Sequence, residues 1–129
     1  MEPTVKIGFF GCGNVGSGVW KLLNGFSKEL THRTGLRFEV KRALVRDVHK
    51  ARTCSVPQEL LTTNPDDVLC DPEITLVAEF MGGEQPATDY LLRALENGKT
   101  VVTANKVAVA LNWHKLQAAA KAHHVGLYY

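Results

Sequence analysis

The apolar positions of the chain change period as it is read from the amino terminus. Val5, Ile7 and Phe9 alternate with Lys6 and Gly8, the two-residue repeat of a strand. Beyond a glycine cluster, Val15, Val19, Leu22, Leu23, Phe26 and Leu30 recur every three or four positions, which predicts one helix. After the polar turn Thr31-His32-Arg33-Thr34-Gly35, the segment Leu36 to Val45 carries Phe38, Val40 and a closing Ala43-Leu44-Val45, a second strand. The opening is a βαβ unit.

Pro57, Asn64-Pro65 and Asp71-Pro72 punctuate the stretch from Arg46 to Asp71, leaving room only for short helical pieces. Thr75 to Phe80 is an apolar run. Pro86, Ala87, Tyr90, Leu91, Ala94 and Leu95 then mark a helix opened by proline and closed at Asn97-Gly98. Thr100-Val101-Val102-Thr103 predicts another strand, Leu111, Leu116, Ala119, Ala120 and His123 a final helix with Asn112 as N-cap, and Val125 to Tyr129 one more strand. Near-continuous apolar strands alternating with helices predict an α/β fold of the Rossmann type: a doubly wound, mostly parallel sheet with helices on both faces.

At 129 residues, 45% hydrophobic and 22% charged, the chain suits one globular domain over residues 1–129. A net charge of +2 with dispersed basic residues speaks against nucleic acid as a partner. No apolar stretch reaches the roughly 18 residues of a membrane span, and Met1-Glu2-Pro3-Thr4 leads into a strand without a signal-peptide pattern, so the expected setting is cytoplasmic. Cys12, Cys54 and Cys70 form no C-x-x-C pair and fit a reducing compartment. Cys12 lies inside the glycine loop, where a small side chain tolerated in a tight turn is the default and a redox-sensitive thiol the alternative.

The strongest chemical signal is Gly11-Cys12-Gly13-Asn14-Val15-Gly16, placed between the first strand and first helix as a dinucleotide fingerprint requires. Gly11 would allow the tight turn, Gly13 the approach of a pyrophosphate, and Gly16 close packing of helix on strand. The helix N-terminus would then face the phosphates with unpaired N–H groups. A ligand-free glycine turn and a methyltransferase fold, with Asp47 on the ribose, are the competing readings.

The residue after the second strand faces the adenosine ribose in this fold. Arg46 there points to the 2′-phosphate of NADP, with Lys50 and Arg52 adding positive charge. Asp47 could instead hold a free ribose diol and admit NAD, and the Arg46 to Arg52 set could be an ordinary solvated loop. NADP is preferred and NAD is left open.

Phe80-Met81-Gly82-Gly83-Glu84-Gln85-Pro86 and Thr103-Ala104-Asn105-Lys106 each follow a strand directly, so they should meet the glycine loop at one sheet edge and line one crevice. Lys106 is the only cation there suited to a catalytic or substrate-orienting role, an exposed loop lysine being the plain alternative. His123-His124 point in different directions on a helix and have no third ligand near them in sequence, so no metal site is expected. Trp113, Tyr128 and Tyr129 read as packing groups.

Taken together, Gly-Cys-Gly-Asn-Val-Gly, Leu-Val-Arg-Asp, Phe-Met-Gly-Gly-Glu-Gln-Pro-Ala and Val-Thr-Ala-Asn-Lys resemble the amino-terminal NAD(P)-binding domain of homoserine dehydrogenase over nearly the whole chain. The resemblance implies reversible NAD(P)-linked interconversion of L-homoserine and L-aspartate 4-semialdehyde, toward threonine, methionine and isoleucine. It implies that Gly11, Gly13, Asn14, Val15 and Gly16 hold the pyrophosphate and Arg46 the adenosine phosphate. Gly82, Thr103 and Asn105 would hold the nicotinamide end, with Lys106 reaching toward nicotinamide or substrate. The family's substrate-binding region would follow Tyr129. The expectation is therefore a chain that binds cofactor without efficient turnover, acting on a small-molecule substrate only when a substrate domain is supplied. The alternative is a non-enzymatic dinucleotide-binding or sensing module. The last strand could leave an apolar edge through which the chain self-associates.

Overall fold

The computed structural model describes residues 3–49 and 55–129. In chain order its elements are β1 (Thr4–Phe10), α1 (Asn14–Gly25), α2 (Ser27–Thr34), β2 (Arg37–Leu44), β3 (Leu61–Thr62), α3 (Asp66–Leu69), β4 (Ile74–Glu79), α4 (Ala87–Glu96), β5 (Thr100–Thr103), α5 (Lys106–Leu111), α6 (Trp113–Ala122) and β6 (Leu127–Tyr128). Every strand pairing is parallel, in the order β3-β2-β1-β4-β5-β6. This is the doubly wound order that reverses beside the first strand, where such folds place their ligand crevice.

The two-residue repeat of β1 sends its side chains into two separate cores. Ile7 and Phe9 join Val40, Ala43 and Ala78 on the face covered by Val19, Trp20 and Leu23 of α1. Phe10 joins Ile74, Val77 and Val101 on the opposite face, beneath Leu91 and Leu95 of α4 and Leu116 of α6. Each core residue removes apolar surface from water at roughly 25 cal/mol per Å², so both faces of the sheet are anchored from the same strand. The expected α/β architecture with helices on both faces is the one found.

Four local expectations are corrected. The first helix is two, because the backbone of Phe26 leaves helical geometry (φ −114°, ψ 23°) after Gly25, a residue that costs about 1 kcal/mol relative to alanine in a helix interior. Leu22 and Phe26 are more than half exposed, so the apolar period ran on past the positions that the core covers. The Arg46–Asp71 stretch contains a strand as well as short helices: β3 forms by pairing Leu61 with Ala43 and Thr62 with Leu44. A further helix, α5, precedes the last one and is capped by Asn105, whose Oδ1 accepts from Ala108 N. Asn112 stands at the start of α6, but its amide donates to Ala108 O and Thr88 Oγ1 instead of capping that helix.

β6 is the outer strand, paired only with β5, and Tyr128 and Tyr129 are exposed beside it. Tyr129 packs edge-on against Trp113 at 5.1 Å, the packing role expected of these aromatics. No helix among the described residues is long and apolar enough to cross a membrane.

Candidate functional site

The glycine loop turns directly off the C-terminal end of β1. Gly11 has φ +89°, a conformation in which a side chain would be strained, and a Cβ there would also press on the Met81 backbone at 3.3 Å. Its N–H donates to Leu44 O, fixing the turn to the end of β2. Gly16 is buried under this turn, and a Cβ on it would stand 3.1 Å from Gly11 O and 3.4 Å from the Phe80 ring. Gly13 differs from both: a Cβ there would meet nothing within 4 Å. Among the described residues no close contact calls for a glycine there; its place at the helix N-cap tolerates one, and a ligand that needs close approach to the backbone favours it further.

Gly13 is also the cap of α1, a helix of 12 residues with no side-chain cap and no acidic residue in its first turn. Among the described residues nothing accepts from the N–H groups of Asn14 and Val15, and the helix dipole favours an anion there. Both side chains are exposed. Ser17, next along, is buried and accepts from Ser55 N at 2.9 Å.

A cavity of about 650 Å³ opens in front of this loop. Gly11, Cys12 and Gly13 form one wall and Leu44 to Asp47, with Thr63, the next. Phe80, Met81, Pro86 and Tyr90 close the third side. Two of these aromatics rest on β1 itself, Phe80 edge-on to Phe9 at 5.2 Å and Tyr90 tilted on Phe10 at 5.4 Å. Cavity size and mixed lining suit a small organic ligand with an anionic part. Arg46 is exposed at the rim, while Asp47 Oδ1 accepts its own loop's His49 N–H at 2.9 Å. Lys50 and Arg52, expected to add charge there, lie outside the described residues. Cys12 is buried and engaged in a disulfide, against the expectation that the cysteines stay as thiols; spacing rules see local pairs only.

The cavity wall stops short of the β5–α5 segment. Thr103 and Asn105 are buried, and their side chains are spent inside the protein. The Thr103 hydroxyl donates to Glu79 Oε1 at 2.5 Å and accepts from Asn105 N at 2.9 Å. The Asn105 amide nitrogen donates to Gly83 O. The β5–α5 turn is thereby joined to the β4–α4 loop, which carries Gly82 and Gly83 at positive φ, and Lys106 is exposed as the first residue of α5. The three loops do meet at one sheet edge, but only two of them line the cavity.

Sequence reading passed over Thr63, Tyr90 and Glu79. Thr63 follows a two-residue strand too short to leave a period, and Tyr90 was read only as part of a helix face. Glu79 follows the apolar run Leu76-Val77-Ala78, and a fully buried acid at the end of such a run is the signal that could have marked it.

Residues 11–129 match the sequence model of the family described as homoserine dehydrogenase, NAD binding domain. The homoserine dehydrogenase of Bacillus subtilis is 38% identical over 125 residues, 97% of this chain and 29% of that protein. The Synechocystis enzyme is 40% identical, over 95% of this chain and 28% of its own length. A crystal structure of a homoserine dehydrogenase from Thiobacillus denitrificans superposes with a TM-score of 0.92 at 41% identity, over 99% of this chain and 30% of that one. A hyperthermophilic archaeal homoserine dehydrogenase in complex with NADPH shares the fold, with a TM-score of 0.74 at 19% identity. The chain thus spans under a third of the length of the relatives from Bacillus and Synechocystis.

Proposed function

The chain belongs to the homoserine dehydrogenase family as its NAD-binding domain, and from that premise we propose that it seats NADP(H), in preference to NAD(H), for interconversion of L-homoserine and L-aspartate 4-semialdehyde. The observation that carries this reading is Gly13, whose missing Cβ faces open space at the uncapped start of α1. The pyrophosphate lies on the N–H groups of Gly13, Asn14, Val15 and Gly16, where no carboxylate of the helix's first turn competes with it. When bound, the nicotinamide supplies the hydride chemistry, and the protein's share is orientation and electrostatics.

Arg46 sets the cofactor preference. It stands at the end of β2 on the cavity rim, free to form a charge-assisted pair with a 2′-phosphate. Asp47, the residue that would hold a bare ribose diol, already has one oxygen on His49 N. At the other end, the loops holding Gly82 and Lys106 face the nicotinamide and the substrate side, and Thr103 and Asn105 support them from beneath. The substrate-binding part of the enzyme is supplied by sequence of the kind that the longer relatives carry, and the activity belongs to amino-acid biosynthesis in the cytoplasm.

Fluorescence titration of the purified chain with NADPH and with NADH, repeated with Arg46→Ala, tests the reading. NADPH binds more tightly by about tenfold, the worth of one charge-assisted hydrogen-bonded contact, and the variant loses that margin while still binding NADH. Saturable binding of neither cofactor overturns the proposal.

A further inference from the structure

Glu79 ends β4 with its side chain wholly buried. One oxygen accepts from Met81 N at 2.7 Å and Gly82 N at 3.3 Å, and the other from the Thr103 hydroxyl at 2.5 Å. The pattern closes on itself: Thr103 Oγ1 accepts from Asn105 N, and the Asn105 amide returns to Gly83 O. Asn105 Oδ1 also caps α5 and so fixes where Lys106 begins that helix.

Burying a carboxylate is costly unless every lone pair finds a donor, and an apolar side chain at a strand end carries no such cost. Here the donors all come from two segments, the β4–α4 loop and the end of β5, and none from the cores on either face. What the charge holds together is thus a pair of loops at the mouth of the crevice, beyond what the packing of the sheet requires.

We propose that Glu79 is a positioning residue for the nicotinamide end of the cofactor, holding Gly82–Gly83 and Asn105–Lys106 at a fixed separation through Thr103. The proposal rests on the dinucleotide reading above and deepens it. Glu79 touches no ligand; it acts through the loops it ties.

Glu79→Gln is the informative change because it keeps shape and removes one acceptor. Turned one way, the amide N–H₂ faces the Met81 and Gly82 N–H groups, donor against donor. Turned the other way, it faces Thr103 Oγ1, whose hydroxyl then loses its acceptor. The first orientation breaks the ties to Met81 and Gly82; the second keeps the ring with the bond to Thr103 reversed and uncharged, so the ring is weakened by Glu79→Gln and broken outright by Thr103→Val. The full chain and its E79Q and T103V variants are titrated with NADPH and with adenosine 2′,5′-bisphosphate, which carries the adenosine phosphate and lacks the nicotinamide.

The expected result is that both variants bind the bisphosphate as the parent chain does, while NADPH binds about tenfold more weakly, the worth of a hydrogen bond to a charged group. The double variant loses no more than T103V alone, since both changes act on the same ring. Unchanged NADPH affinity in T103V overturns the proposal, and so does a parent chain that binds NADPH no better than the bisphosphate. If E79Q loses both ligands, T103V decides: selective loss of NADPH supports the positioning role, and loss of both, or of neither, overturns it. A parent chain that binds neither ligand fails the dinucleotide reading itself, a distinct outcome.

Discussion

Around Gly13 the protein leaves its groups open, with α1 uncapped and a side-chain-sized space in front of the backbone. Around Glu79, a strand away in the sheet order, both carboxylate oxygens, the Thr103 hydroxyl and the Asn105 amide are all satisfied within the protein. An anion supplies what the first region lacks, so recognition there can be made with backbone N–H groups. The neutral dihydronicotinamide of NADPH would offer no comparable anionic charge, and on the proposed reading its seat would be ordered before it arrives. Ordering built in during folding is ordering that binding does not have to supply. The open half would provide affinity and the closed half orientation.

Gly13→Ala breaks the open half with the largest expected effect on binding. The added methyl meets nothing in the protein, and the lost helix-cap preference of glycine roughly offsets the gain from a stiffer unfolded chain, so stability should stay within about 0.5 kcal/mol. A methyl where the pyrophosphate approaches should lower NADPH affinity by tenfold or more, roughly 1.4 kcal/mol. Titration alongside thermal unfolding checks both parts; a stable variant with parental affinity would show that this space is not the phosphate seat.

Gly16→Ala sharpens the contrast, because the neighbouring glycine of the same motif fails for the opposite reason. Its Cβ would press on Gly11 O at 3.1 Å, a carbonyl held in a turn that is itself tied to Leu44 O. Overpacking against backbone costs about 1–3 kcal/mol, whereas replacing glycine by alanine inside a helix returns at most about 1. Net destabilisation of about 1 kcal/mol follows, near 3–5 °C in melting temperature for a chain of this size, with weaker binding as a consequence of the displaced loop. A variant as stable as the parent would mean that the loop yields.

How much of this was legible from residues depends on the range over which each feature is encoded. The glycine loop is local, six consecutive positions between a strand and a helix, and Arg46 follows from counting to the end of the second strand; both could be read directly. The ring around Glu79 could not, since Glu79 and Thr103 are 24 positions apart and meet only because β4 and β5 pair in register. The sequence places Thr103 and Asn105 after a strand, where a ligand role is expected, while in the structure their side chains bond Glu79, Gly83 and Ala108. The two-residue β3 has no period of its own and exists through its pairing with β2. The break at Phe26 was hidden by an apolar repeat that continues across it on an exposed face.

The smallest effect is expected at the opposite edge of the sheet, where a surface cluster ties the strand starts and touches neither half of the crevice. Lys41 Nζ lies 2.6 Å from Asp71 Oδ2 and 2.7 Å from Glu73 Oε1, and Lys6 reaches the same Glu73 oxygen at 3.2 Å. The hydrogen bond from Lys41 holds the Asp71 carboxyl below its ordinary value of 3.8, against the opposing pull of partial burial. A carboxyl with a depressed native value contributes stability that is complete above its unfolded value, near pH 4, and is lost as pH falls through the native one. Asp71→Asn keeps the acceptor for Glu73 N, which Asp71 Oδ1 holds at 2.9 Å, and replaces the charged oxygen facing Lys41 by an amide N–H₂. The variant should therefore be slightly less stable than the parent at pH 7, by less than Gly16→Ala, and the two urea midpoints should converge as pH falls through the native value of Asp71. Because Glu73 shares Lys41 with Asp71, the difference reports the Lys41 cluster as a unit. NADPH affinity at pH 7 should be the same in both; a loss of binding in Asp71→Asn would mean that the two edges of the sheet are coupled and that the division into an open and a closed half is too simple.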